Sequence, residues 1–349
     1  MKKYPKFKAC AAHAAPVYLD PQATTDKACS LIAEAARNGA SLIAFPESFL
    51  PGFPVWAAVQ SPIRSHDMFK ILAASSVEVP GPEIRAICTA ARRHEIFVSI
   101  GISEATRTSV GCLWNSNLLI GADGSILNHH RKLVPTFYEK MIWANGDGAG
   151  LRVTETEIGR VGMLICGENT NPLARYALMA QGEQFHISTY PPTWPTRPPE
   201  EAGRYDLSSA IRIRAGAHAF EAKVFNLVSS ALVDDTMLKA IAHLGEEAVR
   251  IIKETPSGET MLIGPSGEVI GDTLRDDEGL LYCEIDLANC VEAKQFHDVV
   301  GYYNRFDIFH LKFDATPQAP IEIVGRENFR AHPYEELIEP EGAPSPQSA

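Results

Sequence analysis

An internal repeat constrains the fold of this chain more than any other feature. The segments SNLLIGADGSILNHH (116–130) and ETMLIGPSGEVIGDT (259–273) share Leu-Ile-Gly, a two-residue spacer holding Asp123 or Ser266, a further glycine and a short strand pattern. Each reads as a hairpin, with the glycine supplying the turn. The same succession of elements precedes both hairpins. In the first half a strand spans Phe7 to Ala15, and Thr24 or Thr25 caps a helix carrying Ala28, Leu31, Ile32 and Ala35 on one face before Gly39 ends it. Ser41 to Phe45 is the next strand; Phe49 to Pro80 is irregular apart from a helix around His66 to Ser75. Pro82 then opens a helix to about His94, followed by a strand from Glu95 to Ser103. The second half reads as strand 160–166, helix 172–181, strand 184–190, helix 208–222, strand 224–231 and the hairpin, with one more strand at 279–286. Two copies of such a unit, each sheet covered by helices on one face, bury their remaining faces against each other. The expected fold is α/β, a four-layer α-β-β-α sandwich built from two similar halves over residues 1–313. Residues 314–349, rich in Pro, Ala, Glu and Ser, are expected to form an extended tail, partly disordered or lying against another subunit.

The same pattern points to where chemistry belongs. Arg160 to Asn169 is an apolar run that stops at Cys166-Gly167-Glu168-Asn169, and Asn171-Pro172 starts a helix. Cys166 therefore falls on a strand-to-helix turn. It is either a packed small hydrophobe or a nucleophile whose thiolate is favoured by the helix dipole. Glu47, after Pro46, ends the strand 41–45, and carboxyl ends of strands are where α/β folds place their sites. The cluster His129-His130-Arg131-Lys132-Leu133 reads alone as a solvated basic turn. A metal pair at His129 and His130 is disfavoured because neighbouring strand residues point to opposite faces.

Charge and cysteine usage narrow the partners. With 32 basic and 43 acidic residues the net charge is −11, which argues against nucleic acid and anionic membrane surfaces. No apolar run approaches the ~18 residues that span a bilayer, and the N-terminal stretch has no signal-peptide core, so a cytoplasmic protein is expected. Seven cysteines without CxxC pairs indicate neither a disulfide framework nor a zinc site. One reactive thiol among inert ones fits better.

Taken together, Phe45-Pro46-Glu47-Ser48, His130-Arg131-Lys132-Leu133 and Cys166-Gly167-Glu168-Asn169, in that order, resemble the three active-site motifs of the nitrilase superfamily of carbon–nitrogen hydrolases. The likeness runs from Lys8 to about Leu311. Trp143 to Gly148 is similar to the family's W-x-x-GDG segment, and Asp298 to Asp307 to a C-terminal motif of the nitrilase branch. The resemblance implies a catalytic Glu47, Lys132 and Cys166, with Glu139 as a second glutamate holding the lysine. It further implies hydrolysis of an organic nitrile to acid and ammonia through a cysteine thioimidate and thioester, with no cofactor and no metal, in a homo-oligomer built from dimers and able to extend into a spiral or filament. Two departures stand out: Gly167 follows the cysteine where many nitrilases carry tryptophan, and Tyr302-Tyr303-Asn304-Arg305-Phe306 replaces a more usual His-Tyr-Ser-Arg-Pro. Phe53, Trp56, Gly167, Tyr190 and Trp194 are the candidate substrate-binding residues. An amidase, or a nitrile- or cyanide-hydrating enzyme, uses the same triad and is the competing reading; a catalytically silent assembly protein is the non-enzyme alternative.

Overall fold

The computed structural model describes residues 4–318. Its first half runs β1 (Lys6–His13), α1 (Pro21–Arg37), β2 (Leu42–Ala44), α2 (His66–Ser75), α3 (Pro82–His94), β3 (Phe97–Ala105), β4 (Leu113–Ile120) and β5 (Ile126–Arg131). The second runs β6 (Thr154–Thr156), β7 (Gly159–Ile165), α4 (Pro172–Ala180), β8 (Phe185–Tyr190), α5 (Leu207–Ala222), β9 (Phe225–Ser230), α6 (Asp235–Ile241), α7 (Glu246–Glu254), β10 (Thr260–Ile263) and β11 (Val269–Leu274). β12 (Gly279–Asp286) and α8 (Asn289–Phe296) follow.

These strands make two six-stranded sheets, ordered β12-β1-β2-β3-β4-β5 and β11-β10-β9-β8-β7-β6. In each, three parallel strands connected through helices are extended by an antiparallel hairpin, β4–β5 or β10–β11. The repeat seen in the sequence is thus a repeat of sheets. One edge is exchanged between halves: β6 pairs with β7 inside the second half, whereas β12, after the second hairpin, returns to β1, matching Lys6 with Asp286 and His13 with Gly279. That exchange was not readable from strand patterns, because pairing partners depend on where the chain crosses and not on local sequence.

β1 shows why the layers form. Phe7, Ala9 and Ala11 face the opposite sheet and pack with Met163, Phe185, Ile187 and Leu227, while Cys10 and Ala12 face the helix layer with Ile32, Ala35 and Ile87. Period-two alternation with apolar residues on both faces is what a doubly covered strand requires. The Phe7 and Phe185 rings meet edge to face at 5.4 Å across the sheets.

Helix starts follow the capping chemistry, with one correction. α1 begins at Pro21 with Asp20 as its cap, whose carboxylate accepts from Ala23 N at 2.9 Å; Thr24 and Thr25 lie buried inside the helix. A carboxylate ahead of proline outcompetes threonines four and five positions on, since proline already holds the first helical φ. α4 begins as expected, with the Asn171 side chain accepting from Leu173 N and Ala174 N. The described residues up to Pro317 form one unit. The tail expected from 314 lies outside the described residues beyond 318. No helix among the described residues is long and apolar enough to cross a membrane.

Candidate active site

Three strand ends converge at one place. Glu47 sits just past β2, Lys132 directly after β5, and Cys166 directly after β7, with Glu139 on a short 3-10 turn following the lysine. The halves touch here through backbone as well, since Glu47 N reaches Tyr190 O at the end of β8 at 3.4 Å. Gly101 in β3 makes room for the glutamate loop: a Cβ there would lie 2.3 Å from Pro46 O and 2.9 Å from Glu47 Cα.

All four side chains are buried. Lys132 Nζ donates to Glu47 Oε1 at 2.6 Å and to Glu139 Oε1 and Oε2 at 2.9 and 2.7 Å. Asn115 Nδ2 donates to the same Glu47 Oε1 at 2.7 Å, which leaves Glu47 Oε2 as a buried oxygen with no partner among the described residues. Burial alone would strip the proton from Lys132, but the Glu139 and Glu47 carboxylates hold its pKa well above the ordinary value, so the cation persists. Burial, opposed by Lys132 and reinforced by Glu47, pushes the Glu139 carboxyl up to about 7.

Cys166 differs from the expected thiolate. Burial first, and then the Glu47 charge, push its thiol well above the usual range, and the opposing pull of Lys132 and Arg214 does not compensate. The helix dipole does not rescue it, because Cys166 to Thr170 forms a 3-10 turn and α4 begins only at Pro172. At rest the cysteine is therefore a thiol, and a thiol nucleophile needs a proton acceptor. Its backbone is strained as well, at φ 49.

Four of the five candidate substrate-binding residues share one core cluster with the cysteine. Phe53, Trp56, Tyr190 and Trp194 are buried in one cluster with Cys166, Tyr138 and Trp143. Tyr138 stacks on Trp194 at 4.4 Å, and Phe53 lies 6.0 Å from Trp194. The hydroxyls of Tyr138 and Tyr190 and the Trp56 indole nitrogen are buried without partners among the described residues. A cleft of about 410 Å³ is lined by chain neighbours of these rings, including Ala58, Phe137 and Pro195. Gly167 lies toward a different neighbour: a Cβ there would meet Thr136 Oγ1 at 2.6 Å, in the loop joining Lys132 to Glu139.

Several residues that hold the site escaped sequence reasoning. Glu168 is a clamp. Its Oε2 accepts from Ile165 N at 2.8 Å and from His130 Nε2 at 2.9 Å, and its Oε1 accepts from Leu133 N at 2.5 Å, so one carboxylate ties the cysteine turn to both flanks of Lys132. His129 turns instead to Glu104, at 2.8 Å, so the two histidines do point apart. Arg214, on α5, donates to the Tyr205 hydroxyl and acts electrostatically on Cys166. The available signals were polar residues in otherwise buried elements: Asn115, Ser116 and Asn117 in β4, and Glu183 and His186 around the start of β8. The W-x-x-GDG segment also acquires a role. A Cβ at its Gly146 would lie 2.3 Å from Arg131 O, and one at Gly150, two residues past the segment, would lie 2.4 Å from His130 Cα, so these glycines let the loop press on the strand that delivers Lys132.

The carbon–nitrogen hydrolase family profile matches residues 8–295. The chain is 35% identical over 316 residues to a nitrilase of Paraburkholderia phymatum, covering 90% of this chain and 88% of that one. It is 36% identical over 320 residues to a bromoxynil-specific nitrilase of Klebsiella pneumoniae subsp. ozaenae, with 91% and 88% covered. Among solved structures, the carbon–nitrogen hydrolase of Helicobacter pylori G27 superposes with a TM-score of 0.65 at 19% identity, over 83% of this chain and 93% of that one, a likeness of fold.

Proposed function

We propose, from the premise that this chain belongs to the carbon–nitrogen hydrolase family and is a hydrolase of carbon–nitrogen bonds, that it converts an organic nitrile to the carboxylic acid and ammonia. The observation that carries the reading is the Glu47–Lys132–Glu139 array beside Cys166, in which one Glu47 oxygen is engaged and the other is unpartnered. The free Oε2 takes the thiol proton as Sγ bonds to the nitrile carbon. Negative charge developing on the nitrile nitrogen is met by the Lys132 ammonium, a contribution of about 3 kcal/mol for one such donor in a buried site. Protonation of that nitrogen gives the thioimidate. Water activated by Glu47 adds to it and ammonia leaves; a second water cleaves the thioester, releasing acid and returning the thiol. Two waters are consumed per nitrile, and no cofactor takes part. Glu139 keeps the lysine charged and in place.

Phe53, Trp56, Tyr190 and Trp194, joined by Tyr138, form the wall for an apolar organic group. Cytoplasmic residence is supported by seven cysteines that are all free. Homo-oligomerisation is supported by the exposed apolar and aromatic side chains of Leu173, Tyr303, Phe306, Ile308 and Phe309, which lie around α4. Light scattering reads the oligomer directly.

The test of the activity is a panel of aliphatic and aromatic nitriles and their amides, with ammonia and amide both quantified. Acid and ammonia from at least one nitrile support the reading. Turnover of amides with no nitrile consumed makes the protein an amidase, accumulation of amide makes it a hydrating enzyme, and no turnover at all leaves the assembly-protein alternative.

A further inference from the structure

Behind the cysteine turn lies a second buried cluster that the proposed chemistry does not use. Glu183, His186 and His218 are fully or nearly fully buried. His186 Nδ1 donates to Glu183 Oε1 at 2.5 Å, and His218 Nε2 to Glu183 Oε2 at 2.6 Å. The space is made by Gly162 in β7, where a Cβ would lie 1.9 Å from Glu183 Oε1. A carboxylate and two imidazoles this close could hold a metal ion. The ring geometry favours hydrogen bonding instead. The imidazoles stack at 3.8 Å with planes 23° apart, and each addresses a different oxygen of the one carboxylate, so their nitrogens run side by side rather than converging on a shared point.

The far side of His186 leads to the nucleophile. His186 Nε2 lies 3.1 Å from Asn169 Oδ1, and Asn169 Nδ2 donates to Cys166 O at 3.2 Å and Leu164 O at 3.3 Å. Those two carbonyls fix which way the amide faces, since the flipped amide would set oxygen against oxygen. Asn169 Oδ1 must then accept a hydrogen bond. Ser188 Oγ lies 3.1 Å from Asn169 Oδ1 but has one proton, and Asn226 Oδ1 is nearer at 2.9 Å. Asn226 cannot turn away, because its amide nitrogen is committed to Ala215 O. His186 Nε2 is therefore the donor to Asn169. With Nδ1 also donating to Glu183, both ring nitrogens carry hydrogen.

We propose that Glu183 holds His186 as a buried imidazolium whose Nε2–H locks Asn169, which in turn pins the strained carbonyl geometry of Cys166, making Glu183 and His186 positioning residues for the nucleophile. The charges facing the ring fit this reading: among the described residues Glu183 is the one acid bonded to it, and although burial would raise its carboxyl, both histidines hold it down to about 2. His218 stays neutral, because burial and the neighbouring His186 push it down to about 4. Arg175, the remaining nearby cation, donates to Asn169 O and pairs with Glu221. The inference rests on Cys166 being the nucleophile of the proposed reaction.

The decisive experiment joins three readouts on the full-length protein. First, ¹⁵N-histidine NMR of the wild type, assigned with His186→Gln, should show both His186 nitrogens protonated at pH 7 to 8; a bare Nε2 overturns the proposal, and this readout needs no variant activity. Second, His186→Leu should lower kcat roughly a hundredfold, the order expected for a nucleophile displaced by about an ångström, while KM stays within about threefold. The iodoacetamide labelling rate of Cys166 should fall in parallel. His186→Gln, whose amide can still donate to Asn169, should recover about tenfold of the loss. A folded His186→Leu protein with unchanged kcat and labelling rate overturns the proposal. Third, elemental analysis of the purified wild type should find no stoichiometric metal; one zinc per chain lost in His186→Leu also overturns it. Cys166→Ala separates the two levels: ammonia release that survives it defeats the nucleophile, whereas the protonation of His186 is judged independently.

Discussion

Cys166 carries the central constraint at the level of single side chains: a thiol made a poorer acid by burial and by the charge of Glu47, the carboxylate proposed to deprotonate it. Such a site keeps its reactive group protonated until substrate displaces the balance. Cys166→Ala is expected to abolish ammonia release while leaving the thermal transition near the wild-type value, because the residue fills little volume. Glu47→Gln retains an oxygen for Asn115 and Lys132 but removes the base, so kcat should fall by about 10²- to 10⁴-fold with KM nearly unchanged. Retention of kcat within threefold would remove Glu47 from the mechanism. Glu139 gives the pH dependence. Its carboxyl, pushed up to about 7 by burial, is protonated below that pH and then no longer offsets the Lys132 charge. Activity should therefore fall as pH drops through about 7, and this limb should be missing from the residual activity of Glu139→Gln, measured as kcat from pH 5.5 to 9.

Single elements explain how these side chains are aimed. β2 is only three residues long, and its loop is seated by close approach to Gly101 in β3. Gly101→Ala places a methyl group against Pro46 O and Ser48 N, so the Glu47 loop must move. An expected kcat loss of about a hundredfold, with the circular dichroism spectrum kept, checks the point. The α4 cap is a stability device instead: Asn171→Ala should cost about 1 kcal/mol in urea unfolding and leave kcat intact. Asn171 is an exposed residue, so no packing loss should add to that value.

Over the whole molecule, the exchanged edge strand β12 ties the end of the second half into the first half's sheet. Unfolding followed by far-UV circular dichroism and by tryptophan fluorescence should then give coincident transitions; separated midpoints would show halves that unfold independently. Buried acids set the acid limit. Burial alone would raise the Glu104 and Glu183 carboxyls, but His129 and Arg131 for the first, and His186 and His218 for the second, bring them down to about 2. Folded-state values below the unfolded value of 4.5 mean that their stabilisation is complete above that pH and is lost as pH falls toward 2. Stability measured from pH 5 to 2.5 should drop over that window, and less steeply in Glu104→Gln.

Local sequence was enough to place the repeated strands and helices but not β6, α6, α7 or α8, and the triad was assigned through the family likeness. Strand and helix periods, proline and glycine punctuation and the repeated LIG hairpin all act within a few residues, and Glu47, Lys132 and Cys166 each stand at the end of a strand that could be read directly. Glu139 and the aromatic group at 53, 56, 190 and 194 followed from the family likeness and from residue type. Other features became visible only once the chain was folded. The β12 return to β1 depends on a crossing that no local pattern encodes. The Glu168 clamp, the Glu183–His186–Asn169 line and the neutral Cys166 thiol depend on burial and on contacts between residues far apart in sequence. Desolvation and hydrogen-bond satisfaction are properties of a closed interior, so proton positions at this site are decided by the tertiary structure.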